Sequence, residues 1–226
     1  MERLLQMHWW GELDYASAVR EQESLRDTVI EQGGGAHLVI VEHPQVVTCG
    51  RNYTVSDLEK KSILERGFGF EESSRGGKLT YHGPGQLVMY PIVHLAWARV
   101  GVKGIVRGVI DSMGRWLDGQ GISTKWNDSA PGLWTDGSSP KKIASVGMRI
   151  TRGVSWHGAA LNLRTDLSAF SAFQPCGFSG SMMTSVLNEL GESPTIQVAA
   201  EGIATEFASL LNLVPVSSTD RGDGAT

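Results

Sequence analysis

Hydrophobic residues recur along the chain at two spacings, one typical of amphipathic helices and one typical of buried strands. The helical spacing predicts helices over residues 15–30 and 104–118, and a C-terminal helix marked by apolar positions within 198–211. Two short runs of apolar, mainly β-branched residues, at 37–42 and 87–94, predict buried strands. The chain therefore mixes helices and strands over most of its length.

A second pattern, strict alternation, occurs over residues 143–150 and is typical of a strand with one buried face. Residues 154–163 predict its antiparallel neighbour, because turn-forming residues 151–153 separate the two segments. Since strands and helices do not alternate strictly, we predict an α/β fold of the α+β type, with a mixed or antiparallel central sheet flanked by helices. We assign residues 1–214 to one domain, and residues 215–226, which are poor in apolar side chains, to a flexible tail.

Composition and charge argue against some classes of function and some kinds of partner. The 226 residues are 41% hydrophobic and 19% charged, as in an ordinary soluble protein. The formal net charge of −4 argues against nucleic acid as a partner. No apolar run is long enough to cross a bilayer, and the N-terminal residues lack the apolar core of a signal peptide, so we expect no membrane partner. With only two cysteines, we expect a reducing compartment, the cytoplasm.

The candidate nucleophile is Cys176, which stands between a proline and a glycine. Two cysteines are too few for a disulfide framework or a four-thiolate metal site. A lone thiol in such a turn is typical of a nucleophile held at a pocket, although a free cysteine is also commonly an inert, buried apolar residue. We interpret the other cysteine, Cys49, as structural, because it follows a buried strand.

Three further segments contain glycine, lysine or small residues at positions where they could contribute to a ligand-binding site. The glycine-rich stretch 75–86 lets backbone approach a ligand closely, although a tight hairpin with a surface histidine would also explain it. Lys142 opens an apolar strand, either as a charge that protects a sheet edge or as a desolvated ammonium that shifts the pKa of a neighbour. Small residues at 158–160 leave room for a slim apolar ligand, or serve close packing of a helix on the sheet.

Short motifs follow one another in a fixed order over most of the chain. They are Tyr15 and Gln22; Glu42-His43-Pro44 with Thr48, Gly50 and Arg51; Arg75-Gly76-Gly77 through Thr80-Tyr81-His82-Gly83-Pro84-Gly85-Gln86; Tyr90-Pro91; Gly132-Leu133-Trp134; Lys142-Ile143-Ala144; His157-Gly158 with Ala160-Leu161-Asn162; and Pro175-Cys176-Gly177. Each motif alone is weak, but the ordered set resembles the lipoyl(octanoyl) transferase family, also called lipoate-protein ligase B.

The resemblance implies an acyltransferase of lipoate biosynthesis and protein lipoylation. Members of that family take an octanoyl group from octanoyl-acyl carrier protein. They pass it, through a thioester on a cysteine, to a lysine of the lipoyl domains of 2-oxo-acid dehydrogenase complexes or of the glycine cleavage H protein. The implied fold is the catalytic domain shared with biotin and lipoate ligases. Because the thioester donor is already activated, no ATP, metal or other cofactor is expected.

The resemblance also implies site residues. The catalytic pair is Cys176 and Lys142, the latter because Lys142, and not Lys141, stands in the Lys-Ile-Ala register of the family. The implied substrate-binding strips are Arg75, Gly76, Gly77, Lys78, Leu79, Thr80, Tyr81, His82, Ser145, Val146, Gly147, Gly158, Ala159 and Ala160. Backbone N–H groups near Gly77 or Gly177 are candidates to hold the oxyanion, and His82 to position either the thioester carbonyl or the acceptor lysine.

Three other functions stay open at this point. An ATP-dependent lipoate or biotin ligase of the same fold would need an adenylate-binding lysine and no nucleophilic cysteine. A non-catalytic module that binds acyl groups or carrier proteins would not depend on Cys176. A papain-like hydrolase would place its cysteine early in the chain, before the histidine and asparagine, whereas Cys176 follows His157 and Asn162.

Overall fold

The computed structural model describes residues 2–172 and 182–217. The strands are β1 (Leu4–Glu12), β2 (Ala36–Glu42), β3 (Val46–Gly50), β4 (Gly69–Ser73), β5 (Leu79–His82), β6 (Gln86–Val93), β7 (Thr124–Trp126), β8 (Gly132–Thr135), β9 (Lys142–Thr151), β10 (Val154–Asn162) and β11 (Val214–Ser217). The helices are α1 (Tyr15–Glu31), α2 (Asp57–Glu65), α3 (Leu95–Ala98), α4 (Val102–Gly119), α5 (Val186–Leu190) and α6 (Ile196–Leu211), and a 3₁₀ helix covers Leu167–Ala172.

Eight strands form one sheet in the order β11-β1-β2-β6-β10-β9-β8-β7, and β4, β3 and β5 form a small second sheet. In the large sheet β1 is parallel to β2 and β11, whereas the other pairs are antiparallel, so the sheet is mixed. The small sheet is also mixed, since β3 is parallel to β4 and antiparallel to β5.

Helices cover both faces of the large sheet. On one face α4 and α6 pack against the sheet through residues such as Val109 and Phe207, and this layer holds the largest apolar core. On the other face α1 contributes Ala18 and Val29 to a smaller core. The small sheet has a third core of its own. This arrangement confirms the predicted fold class, and among the described residues no helix is both long and apolar enough to cross a membrane.

The predicted elements with strong periodicity are present, but both ends of the chain differ from the prediction. The strand Leu4–Glu12 was not predicted, because its side chains are half-buried and Trp9 is 48% exposed. It pairs with Val214–Ser217, so the first residues of the predicted tail belong to the sheet. In α6 the exposed Val198 does not mark the buried face, which Ile203 and Phe207 do.

A proline interrupts the centre of the large sheet. Pro91 lies in β6, between β2 and β10, and lacks the N–H that a central strand would use. The buried hydroxyl of Ser155 satisfies two backbone groups of β6 here, because it donates to the Pro91 carbonyl at 2.7 Å and accepts from the Val93 N–H at 3.1 Å. Beyond it, His157 has a left-handed backbone (φ 53°), and its N–H donates to Gln22 Oε1 of α1 at 2.9 Å. The large sheet is therefore irregular beside the pocket that His157 lines.

Candidate active site

A narrow pocket, with a cavity volume of about 40 Å³, lies between α1, the loop before β5 and strands β5, β6, β9 and β10. Predicted substrate-binding residues that line it are Arg75, Gly77, Lys78, Thr80, His82, Ser145, Val146, Gly147, Gly158, Ala159 and Ala160. Residues that line it without having been predicted to are Tyr15, Val88, Tyr90 and His157.

Strand alternation separates the predicted residues of β5. Thr80 and His82 face the pocket, whereas Leu79 and Tyr81 belong to the core of the small sheet. There the Tyr81 ring meets Phe170 edge-on, with 5.5 Å between ring centroids. Leu79 and Tyr81 are therefore not brought to the pocket, because successive side chains of a strand point to opposite faces.

Gly76 also stays off the pocket wall, although it helps to shape the loop. Its N–H donates to the Met148 carbonyl at 3.2 Å, and its own carbonyl accepts from Arg75 Nη1 at 2.9 Å. It therefore fastens the glycine-rich loop to β9.

Small residues are paired with one another on the adjacent strands β9 and β10. The register pairs Ser145 with Ala160 and Gly147 with Gly158. A Cβ at Gly158 would clash with the Met89 carbonyl oxygen, and one at Gly147 would lie 2.7 Å from the Gly76 carbonyl oxygen. Both glycines are therefore required by close backbone packing. Ala160 is buried yet lines the pocket, so its methyl group is part of the wall.

A buried guanidinium, that of Arg75, joins the small sheet to the pocket. Its Nη2 donates to the carbonyls of Thr48 and Lys78 at 2.7 and 2.8 Å, and its Nε donates to Thr48 Oγ1 at 3.1 Å. A Cβ at Gly50 would lie 2.9 Å from Arg75 Nη1, which explains the glycine two residues after Thr48. The guanidinium places a positive charge beside the pocket, and this charge helps to lower the pKa of His82 and of His157.

Aromatic and imidazole rings pack on the α1 side of the pocket. Tyr15 stacks on His82 with 5.8 Å between centroids, and its hydroxyl is 2.7 Å from Ser73 Oγ. His43 Nδ1 is 2.6 Å from the Leu13 carbonyl, and its Nε2 is 2.7 Å from the Tyr90 hydroxyl. A carbonyl cannot donate, so Nδ1 carries the proton and Nε2 of the neutral ring accepts from Tyr90. These contacts fix the orientation of the pocket's aromatic wall.

The two adjacent lysines differ in environment. Lys141 is exposed, whereas Lys142 begins β9 and is only 3% exposed. Gly132 makes room for it, because a Cβ there would lie 2.7 Å from Lys142 Cε. The Lys142 carbonyl accepts from the Thr184 N–H at 2.9 Å, next to an isolated parallel bridge with Met183. The second predicted catalytic residue, Cys176, lies outside the described residues.

Cys49 is buried in β3, in agreement with its structural interpretation. Its thiol donates to the Tyr53 carbonyl at 3.4 Å. Burial raises the pKa of this thiol, which opposes formation of a reactive thiolate.

Several pocket residues were missed for an identifiable reason. Tyr15, Tyr90 and His157 stand within the motifs quoted above, but no motif alone says that a residue faces the pocket. Val88 stands outside the key positions of the motifs. It lies two residues before Tyr90 on β6 and therefore on the same face, so it could be inferred once Tyr90 was known to line the pocket.

Known proteins resemble this chain in both sequence and structure. The sequence model of the lipoyl protein ligase A/B catalytic domain matches residues 14–208. An octanoyltransferase of Mycobacterium tuberculosis (strain ATCC 25618 / H37Rv) is 37% identical over 207 residues, which cover 91% of this chain and 87% of the relative. An octanoyltransferase of Chloroflexus aggregans (strain MD-66 / DSM 9485) is 34% identical over 219 residues, covering 96% and 99%.

Solved structures share the fold at lower sequence identity. Lipoate-protein ligase A bound with ATP superposes with a TM-score of 0.70 and 16% identity, covering 97% of this chain and 90% of the other. Biotin protein ligase from Aquifex aeolicus, in complex with biotin and ATP, gives 0.53 and 12%, covering 91% and 70%. At such identities the likeness concerns the fold alone.

The buried histidines predict a loss of stability in mild acid. Burial lowers the pKa of His43 to about 4 and that of His157 to about 3. Between these values and about 6.5 the unfolded chain binds more protons than the folded chain, so the free energy of unfolding falls as pH decreases. Each histidine contributes up to about 1.4 kcal/mol per pH unit. Urea unfolding between about pH 7.5 and 5 measures this slope.

Two variants sharpen this measurement. His43→Gln removes one buried imidazole and should reduce the slope by about one proton. Ser155→Ala, which also disturbs a buried hydrogen bond, should lower stability at every pH and leave the slope unchanged. An unaltered slope in His43→Gln would contradict the assignment of His43 as a neutral, buried base.

Proposed function

The chain belongs to the lipoyl protein ligase A/B catalytic domain family, and we propose that it is an octanoyltransferase of protein lipoylation. The observation that carries the proposal is the pocket, which combines a wall of small residues with buried polar groups along one side. A slim apolar chain with one polar end matches such a pocket. Sequence relatives named octanoyltransferase, 34–38% identical over 89–96% of this chain, support the same activity.

We further propose octanoyl-acyl carrier protein as the donor and a lysine of a lipoyl domain as the acceptor. In the first half-reaction the Cys176 thiolate attacks the thioester carbonyl carbon, and the carbon–sulfur bond to the carrier breaks. The leaving thiolate takes a proton from the Lys142 ammonium. Backbone N–H groups near Gly77 or Gly177 are the candidates to hold the oxyanion. The products are octanoyl-Cys176 and the free carrier thiol.

In the second half-reaction the neutral Lys142 takes a proton from the acceptor ammonium, and the resulting amine attacks octanoyl-Cys176. The tetrahedral intermediate loses a second proton to solvent and expels the Cys176 thiolate. An amide is formed, and the enzyme returns to its starting ammonium–thiolate state. The thioester supplies the driving force, so the proposed cycle consumes no ATP.

The surroundings of Lys142 support it as the catalytic lysine. Lys142 is buried and its neighbour Lys141 is exposed. Lys142 also forms a parallel bridge with Met183, a residue that follows the Pro175-Cys176-Gly177 motif closely in the sequence. This short sequence separation is compatible with a thiol near the Lys142 ammonium.

The main alternative is an ATP-dependent lipoate ligase, since the family includes ligases and the structural neighbours named above are ligases. Their identities of 16% and 12% carry no argument beyond the fold. Release of pyrophosphate from ATP in the presence of lipoate would favour the ligase. The glycine cleavage H protein as a further acceptor, and a cytoplasmic location, remain predictions.

The nucleophile prediction is tested by intact-mass spectrometry. Mixing the protein with octanoyl-acyl carrier protein should add one octanoyl group, which hydroxylamine removes because it is a thioester. Cys176→Ala should abolish the adduct. The matched control Cys49→Ala should retain it, since the Cys49 thiol is buried and its pKa is raised. Adduct formation by Cys176→Ala but not by Cys49→Ala would reverse the assignment, and transfer without any adduct would point to a non-covalent mechanism.

The lysine prediction concerns the reactivity of the Cys176 thiol. A nearby ammonium should lower the thiol pKa from about 8.5 into the range of roughly 3.5–7.5 seen for activated cysteines. The rate of alkylation by iodoacetamide, measured against pH, reports this value. Lys142→Met should move the inflection to higher pH, and the exposed control Lys141→Met should leave it in place. The opposite pattern would assign the role to Lys141.

The pocket prediction concerns chain length. Ala160→Leu adds apolar bulk to the pocket wall beside Ser145, its partner on the neighbouring strand. Each buried methylene of the acyl chain contributes about 0.8 kcal/mol, so losing room for several of them should raise the KM for an octanoyl donor more than tenfold. A butanoyl donor should be affected much less, and Cys176 should still react with small alkylating agents. Equal losses for both donors would identify residue 160 as a packing position only.

A further inference from the structure

A chain of hydrogen bonds connects His82 with β9, the strand that begins with Lys142. All the bonds of this chain are donated in the same direction, away from His82. His82 Nδ1 is 2.7 Å from Gln86 Oε1, and Gln86 Nε2 donates to Asn162 Oδ1 at 2.9 Å. Asn162 Nδ2 donates to the Thr184 carbonyl at 2.9 Å, and the Thr184 N–H donates to the Lys142 carbonyl at 2.9 Å. His82, Gln86 and Asn162 are all buried, so these partners are not exchanged for bulk water.

Two backbone carbonyls fix the direction of this chain. Gln86 Nε2 also donates to the Tyr81 carbonyl at 3.1 Å, and turning the amide over would bring two oxygens together there. The Thr184 carbonyl fixes the Asn162 amide in the same way. Gln86 Oε1 must therefore be the atom that faces His82. Because an amide oxygen only accepts, the proton of His82 lies on Nδ1.

The His82 ring is neutral, so its second nitrogen carries no hydrogen. Burial lowers the pKa of His82 well below its usual value, and the nearby charges act in the same direction. The groups that face the ring are Tyr15 from α1, His43 after β2, Arg75 before β5 and His157 from β10. None of them is a carboxylate that could stabilise an imidazolium. Nε2 makes no hydrogen bond to any residue that the structure describes.

A ring with this protonation state suits only one of the two reacting groups. The thioester carbonyl and its oxyanion need hydrogen-bond donors, which Nε2 of His82 cannot supply. The acceptor amine carries N–H groups and needs an acceptor. The orientation of the two amides behind the ring therefore favours the amine over the carbonyl as the group that His82 positions.

We propose that His82 accepts a hydrogen bond from the amine of the acceptor lysine through Nε2, and that Gln86 and Asn162 are positioning residues that hold His82 in this tautomer. The proposal rests on the octanoyltransferase function proposed above. It makes His82 a residue of the second half-reaction, because the acceptor lysine takes no part in the first. The hydrogen bond would restrict the orientation of the amine and leave its lone pair free to attack octanoyl-Cys176.

The tautomer is tested without any substrate, by long-range ¹H–¹⁵N NMR of the histidine rings. The chain has six histidines, and the His82→Gln variant identifies the signal of His82. The protein should show His82 with hydrogen on Nδ1 and none on Nε2 near neutral pH. Gln86→Leu removes the acceptor and should shift the ring toward the other tautomer. A ring with hydrogen on Nε2 in the unmodified protein would overturn the proposal, whatever the enzymatic activity.

The role is tested by measuring the two half-reactions separately. Loading is the rate at which octanoyl-acyl carrier protein acylates Cys176, and transfer is the single-turnover rate from octanoyl-Cys176 to a lipoyl domain. His82→Ala should slow transfer by at least about tenfold while loading changes by less than about twofold. Equal slowing of both steps would overturn the proposal and make His82 a part of the acyl pocket. Failure of the unmodified protein to load would instead refute the proposed octanoyltransferase function.

A second variant adds a pH readout, and its circular dichroism spectrum checks that it folds, because it loses the donation of Gln86 Nε2 to the Tyr81 carbonyl and to Asn162 Oδ1. Gln86→Glu keeps an acceptor for the Nδ1 hydrogen, but its carboxylate favours the imidazolium and should raise the pKa of His82. Transfer should then be lost as pH falls through the raised value, because the protonated ring has no acceptor atom. The pH profile of loading should be the same in both proteins, and transfer by the unmodified protein should lack this inflection. An identical pH profile of transfer in both proteins would contradict the proposal.

Discussion

Burial of one positive charge accounts for much of the local structure around the pocket. Arg75 is only 7% exposed, and folding must replace the water that its guanidinium loses with hydrogen-bond acceptors. Carbonyls of β3 and of the glycine-rich loop do so, and this requires the backbone to come close. Gly50 and Gly147 permit the approach, since a Cβ at either position would lie within 3.5 Å of the Arg75 side chain. Burial lowers the pKa of His82 and of His157, and the Arg75 charge acts in the same direction, so both rings stay neutral.

The sequence predicts the parts of this fold in which one physical pattern dominates. Helix α4 has clear periodicity because it buries one face, whereas β10 is buried along its whole length and was predicted from its apolar character and the turn before it. Both elements, and β9, are present close to the expected bounds. Strand β1 gave little signal, because its half-exposed residues pair with neighbours on both sides without forming a clear apolar face. Strand β11, at the edge of the sheet, is short and contains Pro215, so its pattern was that of a tail.

For the candidate site, the ordered motifs located most of the pocket wall, but they did not say which way each side chain points. Leu79 and Tyr81 lie within the longest motif and face the core of the small sheet instead. The direction depends on the pairing of β5 with β3, a tertiary contact. His157 was harder still, because its left-handed backbone breaks the alternation of β10. Protonation states require both amide orientations and burial, which only the folded structure supplies.

Some residues around the pocket can be substituted without disturbing the fold, and others cannot. Gly147 and Gly158 are fixed by backbone packing, so any side chain at either position would displace a strand or loop before it altered a ligand's fit. Ser145 and Ala160 carry side chains that line the pocket and are opposite each other in the register. Related enzymes with the same backbone could therefore accept a different acyl group through these two positions. The polar side has less freedom, because changing Gln86 or Asn162 would leave buried donors or acceptors without partners. Variation in the apolar ligand can thus occur without disturbing the network that orients the reacting groups.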